Sequence, residues 1–307
     1  MSIARELDLE VQGQDWLFYP AVESHLVRSS HVAQTFKIQV MQPVRRRGET
    51  TRFPVVYATD GNLAFDVLKG ISYAMQKSES DAPRFILVGI GYPSDCPVAG
   101  NVLRARDLTF PGYPDCRFPP PSVEGVLLPE RGGKEYVGGE DFQLFIQREL
   151  VPMIDEKYHT QPGERTYFGH SAGGGFGLFT LLSRPDLFNN YIISSPGVTY
   201  NGISRSGVVY DNYEFLLKRA RQFAESGRAL PGLRMYLSVG SEEEFEPAYA
   251  KWQLTSSFYR LATFLKSAAI PGLKLSTEIF SGETHMTVWP MAFVHGIQAV
   301  FGTGPRR

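Results

Sequence analysis

The chain has 307 residues, enough to bury a sizeable core, and its 43% hydrophobic and 21% charged content is ordinary for a globular protein. A formal net charge of −1 removes any electrostatic case for nucleic acid, and the longest basic run, Arg45-Arg46-Arg47, is too short to restore one. No apolar run approaches the length of a membrane span, and Met1 to Gln12 is charged throughout with no apolar core of a signal peptide. A cytoplasmic protein with no membrane partner is therefore expected.

Residues 1–30 show no clear period. From Ala33 to Met41 the pattern alternates as in a half-buried strand, and Pro43 to Thr51 reads as a turn with its arginines in solvent. Phe53 to Ala58 is nearly continuous apolar sequence, as a strand covered on both faces requires. Leu63 to Met75 has helical spacing, and Arg84 to Gly91 is the next buried strand. Residues 92–138 carry repeated Pro and Gly, both cysteines and no sustained period; a connection this long is expected to act as a lid or substrate-binding insertion. Cys96 and Cys116 lie within it and are expected to be free thiols, although their spacing leaves pairing open.

Helical order returns at Glu140 to Tyr158, where Phe142, Phe145, Ile146, Leu150 and Ile154 form one stripe and Pro152 should bend or interrupt the helix. Strands are expected at Thr166 to Gly169, Tyr191 to Ser195, Leu233 to Val239 and Leu273 to Phe280. Helices are expected from Phe176, at Tyr213 to Phe223, at Tyr249 to Ala268 and at Val288 to Val300. Strands alternating with helices imply a mostly parallel central sheet with helices on both faces, in a single domain spanning 1–307. Active sites in such sheets lie beyond the carboxyl ends of the strands, and Asp60, Tyr92, Ser171, Glu243 and His285 all follow one.

Gly169-His170-Ser171-Ala172-Gly173 fits the pattern in which a nucleophilic serine occupies a sharp strand-to-helix turn. A serine needs an adjacent base, normally a histidine held by a carboxylate. His285 is the best placed of the six histidines, in the loop after the last strand; His170 adjoins the serine but is expected to point elsewhere. The acid should follow the strand ending at Val239, where Glu242, Glu243 and Glu244 stand within one turn. Sequence order is then serine, acid, histidine, which is the α/β-hydrolase order. Backbone amides of Ala172 and Asn62 would form the oxyanion hole. The Asp60 carboxylate would repel an oxyanion and is expected to fix its loop instead. No Cys-x-x-Cys, His/Cys cluster, phosphate loop or dinucleotide glycine pattern occurs, so neither metal nor cofactor is expected.

Phe53 to Gly61, Val88 to Pro93, Arg104 to Thr109, Gly169 to Gly174 and Gly282 to His285 together resemble the "Putative esterase" family of α/β-hydrolases. That family includes enterochelin and salmochelin esterases, feruloyl esterases and S-formylglutathione hydrolase, and the resemblance spans roughly residues 30–302. It implies an α/β-hydrolase fold, Ser171 as nucleophile, His285 as base, Glu243 as the acid, and Asn62 and Ala172 as oxyanion amides. It also implies Arg104 as a residue holding an anionic substrate. From the residues themselves, Arg104 reads rather as an ion-pair partner for Asp107 that pins the lid. Tyr92, at its strand end, and Trp289, four residues past His285, are expected at the substrate. Phe110, Tyr113 and Phe118 would add an apolar wall suited to a bulky, aromatic or lipophilic ester, lactones included. The same triad would serve acyl transfer. A hydrolase-fold binding protein is disfavoured, because both Ser171 and His285 are present.

Overall fold

Val22–Arg28 (β1) and Thr35–Met41 (β2) pair antiparallel, Val22 opposite Met41 and Arg28 opposite Thr35. The structure, a computed structural model, describes residues 21–45, 48–77, 81–94, 100–110, 138–198, 202–203, 209–210 and 212–303. β1 is an edge strand with most side chains toward solvent, so it lacks the alternation that betrays β2. Phe53–Ala58 (β3) sends Val55 and Tyr57 into one core and Val56 and Ala58 into another, one on each face. Helix Gly61–Lys77 (α1) and strand Ile86–Gly91 (β4) follow.

Within the expected lid, Gly100–Leu108 forms a helix (α2), a regular element that the Pro/Gly-rich composition conceals. Phe110 does not form a pocket wall: it is fully buried and stacks at 5.0 Å on Phe179. Cys96, Tyr113, Cys116 and Phe118, and with them most of the expected lid, lie outside the described residues.

Gly139–Phe145 (α3) runs through a wider π-helical stretch, Ile146–Leu150, into Val151–Lys157 (α4). Pro152 therefore does not interrupt the helix. It sits in the first turn after the π stretch, where the altered hydrogen-bond spacing absorbs its missing N–H. The stripe from Phe142 to Ile154 is buried as its spacing implies. Phe36 of β2 stacks on Phe145 at 4.3 Å, joining this helix to the sheet.

Thr160–His170 (β5), Ala172–Ser183 (α5) and Asn190–Ser194 (β6) come next. Gly202–Ile203 (β7) and Val209–Tyr210 (β8) make a small antiparallel pair apart from the main sheet. Asn212–Glu225 (α6), Arg234–Gly240 (β9), Leu254–Ser267 (α7), Lys274–Phe280 (β10) and Val288–Phe301 (α8) complete the chain. The single helix expected from Tyr249 to Ala268 is instead a 3-10 turn at Ala250–Trp252 followed by α7, with Gln253 left-handed between them.

The eight-stranded sheet has the order β1-β2-β4-β3-β5-β6-β9-β10 and is parallel from β4 to β10. Helices α1 and α8 cover one face; α3 to α7 cover the other. This is the α/β-hydrolase architecture. The chain moves from β3 out to β4 and then returns to the opposite side of β3 as β5. The strand order therefore reverses between β3 and β5, and the carboxyl ends there open a crevice. No helix among the described residues is long and apolar enough to cross a membrane.

Phe145→Ala should cost about 3–5 kcal/mol, because it empties buried space between β2 and the helix. Urea denaturation should report this as a lower midpoint with an unchanged slope.

Candidate active site

Ser171 sits where β5 turns into α5, with φ 57° and ψ −120°. A non-glycine residue in that region costs about 1–3 kcal/mol and persists only where its surroundings hold it. Three hydrogen bonds do so. Ser171 N donates to Ser194 O at 3.0 Å, while Gly175 N and Gly197 N donate to Ser171 O at 3.0 and 2.7 Å. The flanking glycines are dictated by packing. A Cβ on Gly169 would lie 2.4 Å from the Gly173 carbonyl oxygen, and one on Gly174 would lie 2.9 Å from the Pro196 backbone. Ala172 opens α5, so its amide is one of the first-turn N–H groups that have no intrahelical acceptor.

The loops after β9 and β10 hold the carboxylate and the imidazole. Glu243 Oε2 pairs with His285 Nδ1 at 2.8 Å, and both residues are buried. The other oxygen, Oε1, accepts Ser195 Oγ at 2.5 Å and Gly240 N at 2.7 Å. A buried carboxylate needs such donors, since an uncompensated one costs several kcal/mol. The neighbouring acids are engaged elsewhere: Glu242 accepts Ser241 Oγ at 2.7 Å, and Glu244 accepts the Ser256 hydroxyl at 2.9 Å. His285 is further fixed through its backbone N, which donates to Glu246 Oε2 at 2.7 Å, and by the Tyr249 ring 4.2 Å away.

His170 departs from expectation. Its ring lies 4.5 Å from that of His285 and lines the same cavity, while its Nδ1 meets Ser194 Oγ at 3.1 Å. Burial first, then the neighbouring His285 and Arg104, hold its pKa well below the ordinary histidine value. It is a neutral imidazole at neutral pH.

Ser171, His285, His170, Asp60, Arg104 and Trp289 line one cavity of about 240 Å³, whose remaining wall is largely apolar and includes Leu63, Phe168 and Met286. Asn62 and Tyr92 are not among the lining residues. The Asn62 side chain clamps the Tyr92 backbone instead, donating to Tyr92 O at 2.7 Å and accepting from Tyr92 N at 2.6 Å. The Tyr92 hydroxyl donates to Asp107 at 2.9 Å. Asp107 also binds Arg106, so the ion pair considered between Arg104 and Asp107 does not form; Arg104 pairs with Asp60. Ser195, Glu246, Tyr249 and His170 were not singled out from the sequence for these contacts. Ser195 has φ 42° directly after β6, but a lone serine carries no signal of that.

Residues 127–299 match the model of the family described as "Putative esterase". Across 93% of this chain and 92% of its own length, the ferri-bacillibactin esterase BesA of Bacillus subtilis is 27% identical. The siderophore enterobactin esterase of Emericella nidulans is 32% identical over 62% of this chain and 58% of its own. Among solved structures, the BES protein from Bacillus cereus superposes with a TM-score of 0.71 at 23% identity, covering 94% of this chain and 98% of that one. Siderophore hydrolase EstA from Aspergillus nidulans also gives 0.71, at 21% identity over 94% and 99%. The chain belongs to the "Putative esterase" family and is a carboxylic ester hydrolase on an α/β-hydrolase fold.

Proposed function

We propose that the enzyme cleaves its ester through an acyl-enzyme on Ser171, with His285 as base and Glu243 as the acid that orients it. The observation that carries this reading is the pairing of His285 Nδ1 with Glu243 in the cavity that Ser171 lines. With Nδ1 engaged, Nε2 is the nitrogen left to accept the Ser171 proton as Oγ attacks the ester carbonyl. The amides of Ala172 and Asn62 stabilise the resulting oxyanion. His285 then returns the proton to the leaving alkoxide, and water repeats the sequence to release the acid. Glu243 stabilises the imidazolium without taking the proton itself.

The substrate we infer is a small molecule with a bulky, aromatic or lipophilic ester. The apolar wall formed by Leu63, Phe168, Met286 and Trp289 favours such a group over acetate. A siderophore ester or lactone fits this class, and the names of the bacterial and fungal relatives point the same way.

Ser171→Ala and His285→Ala should each lower turnover of p-nitrophenyl esters by about 10⁴-fold or more, and the double variant should lose little further, because the residues act as a unit. Near-wild-type turnover in Ser171→Ala rejects the mechanism. In a screen of acetyl, feruloyl and catecholate-lactone esters, kcat/KM should be highest for the bulky members; a wide margin for acetate rejects the substrate class.

Ser195→Ala removes a hydroxyl donor from the buried Glu243 carboxylate. It should cost about 1.5–3 kcal/mol of stability. It should also lower kcat while leaving KM near its original value, as initial-rate kinetics on p-nitrophenyl butyrate will show.

A further inference from the structure

Arg104 does not extend alone into the cavity. Its Nη2 donates to Asp60 Oδ2 at 3.0 Å and its Nε donates to Oδ1, so both ends of the carboxylate are engaged. Asp60 has little freedom to leave. It holds φ 59° at the end of β3, and its carbonyl accepts the Leu63 and Ala64 amides, each at 2.9 Å, to start α1. Its side chain is only 14% exposed.

The position of that carboxylate is the problem to be solved. Asp60 Oδ2 lies 3.4 Å from the point a Cβ on Gly173 would occupy, in the first turn of α5 and one residue from Ala172. Asp60 and Ser171 line the same cavity, so an unneutralised carboxylate against the first turn of α5 opposes negative charge developing on the substrate, and low dielectric enlarges the penalty. Burial works against the guanidinium charge of Arg104. The Asp60 charge and hydrogen bonds outweigh it, so the Arg104 pKa lies above its ordinary value and the group stays cationic.

We propose that Arg104 is a positioning residue acting through Asp60: it cancels the carboxylate beside the oxyanion site, and it is not a hook for anionic substrate. This rests on the serine-esterase reading above and deepens it. The pair also ties α2 to the end of β3, so neutralisation and tethering must be separated by experiment.

The probes are p-nitrophenyl butyrate, which is neutral, and mono-p-nitrophenyl succinate, whose acyl group is anionic. On the neutral ester Arg104→Met should lower kcat by about 100-fold, the scale set by loss of one oxyanion donor, with KM changed less than about threefold. Asp60→Asn with Arg104→Met should restore kcat to within about tenfold of wild type, since no carboxylate is left to neutralise. The double variant should also keep the wild-type ratio of kcat/KM between the two esters. A double variant as impaired as the single one, with thermal melting showing it folded, overturns the proposal in favour of a tether. A ratio that falls selectively for the succinate overturns it in favour of a substrate hook. If Arg104→Met does not fold, the double variant and its ester ratio decide. Intact mass of wild type after mixing with ester tests the underlying reading separately. Acylation at Ser171 with an unrescued double variant defeats this proposal alone, whereas an unacylated wild type defeats both.

Discussion

Everything at the carboxyl edge of the sheet is arranged around one backbone reversal at Ser171. A residue with φ 57° must be imposed from outside, and three backbone hydrogen bonds impose it. Those bonds need α5 to start within touching distance of the β6 end, which is why Gly174 can carry no side chain, while Gly169 is kept bare by the first turn of α5 folding back on β5. The same closeness brings the β3 end against α5, where a Cβ on Gly173 would lie 2.5 Å from the Thr59 hydroxyl. Ser171 is thereby fixed against the two strands that flank β5, before any catalytic partner is considered.

The partner loops depend on a second close approach. Gly240 ends β9, and a Cβ there would lie 2.3 Å from the Glu283 carbonyl oxygen in the loop after β10. Glu242 N donates to the same oxygen at 3.0 Å, so the acid loop and the histidine loop are tied to each other. Glu246 then reaches the His285 backbone, while Ser195, from the end of β6, supports Glu243 from the other side. Orientation of the imidazole thus draws on three strand ends and several backbone amides. It does not rest on the Glu243–His285 contact alone.

This division explains what could be read from the chain. The elbow was legible because it combines a strand, a rigid spacing of small residues and an apolar helix within a dozen positions. The buried strands were legible because a parallel sheet covered on both faces leaves long apolar runs, as in Phe53–Ala58. Choosing among Glu242, Glu243 and Glu244 was not possible from the residues, since the choice depends on which side chain of a turn faces inward. The family resemblance pointed to Glu243, and Glu243 is the one that pairs with His285. Strand β1 hid because an edge strand in solvent has no apolar period, and α2 hid because its nine residues carry little hydrophobic contrast. Asn62 and Tyr92 follow strands as site residues do, yet the Asn62 side chain turns to the Tyr92 backbone and the Tyr92 hydroxyl to Asp107. Position after a strand locates the crevice but does not say which way a side chain turns.

Electrostatic balance is the remaining requirement of this crevice. In the proposed cycle His285 becomes an imidazolium while an oxyanion forms on the other side of Ser171, so the site must tolerate a transient pair of opposite charges. A second protonated imidazole 4.5 Å from the first would oppose that step, and burial removes the difficulty by keeping His170 neutral. The cationic end of the cycle is matched by Glu243, whose two other donors keep its charge supported at rest. Asp60 and Arg104, which line the same cavity, form an ion pair with no net charge. Buried charges in this crevice are therefore paired before substrate arrives. In the proposed cycle, the charge that develops on His285 is the one the Glu243 carboxylate is placed to meet.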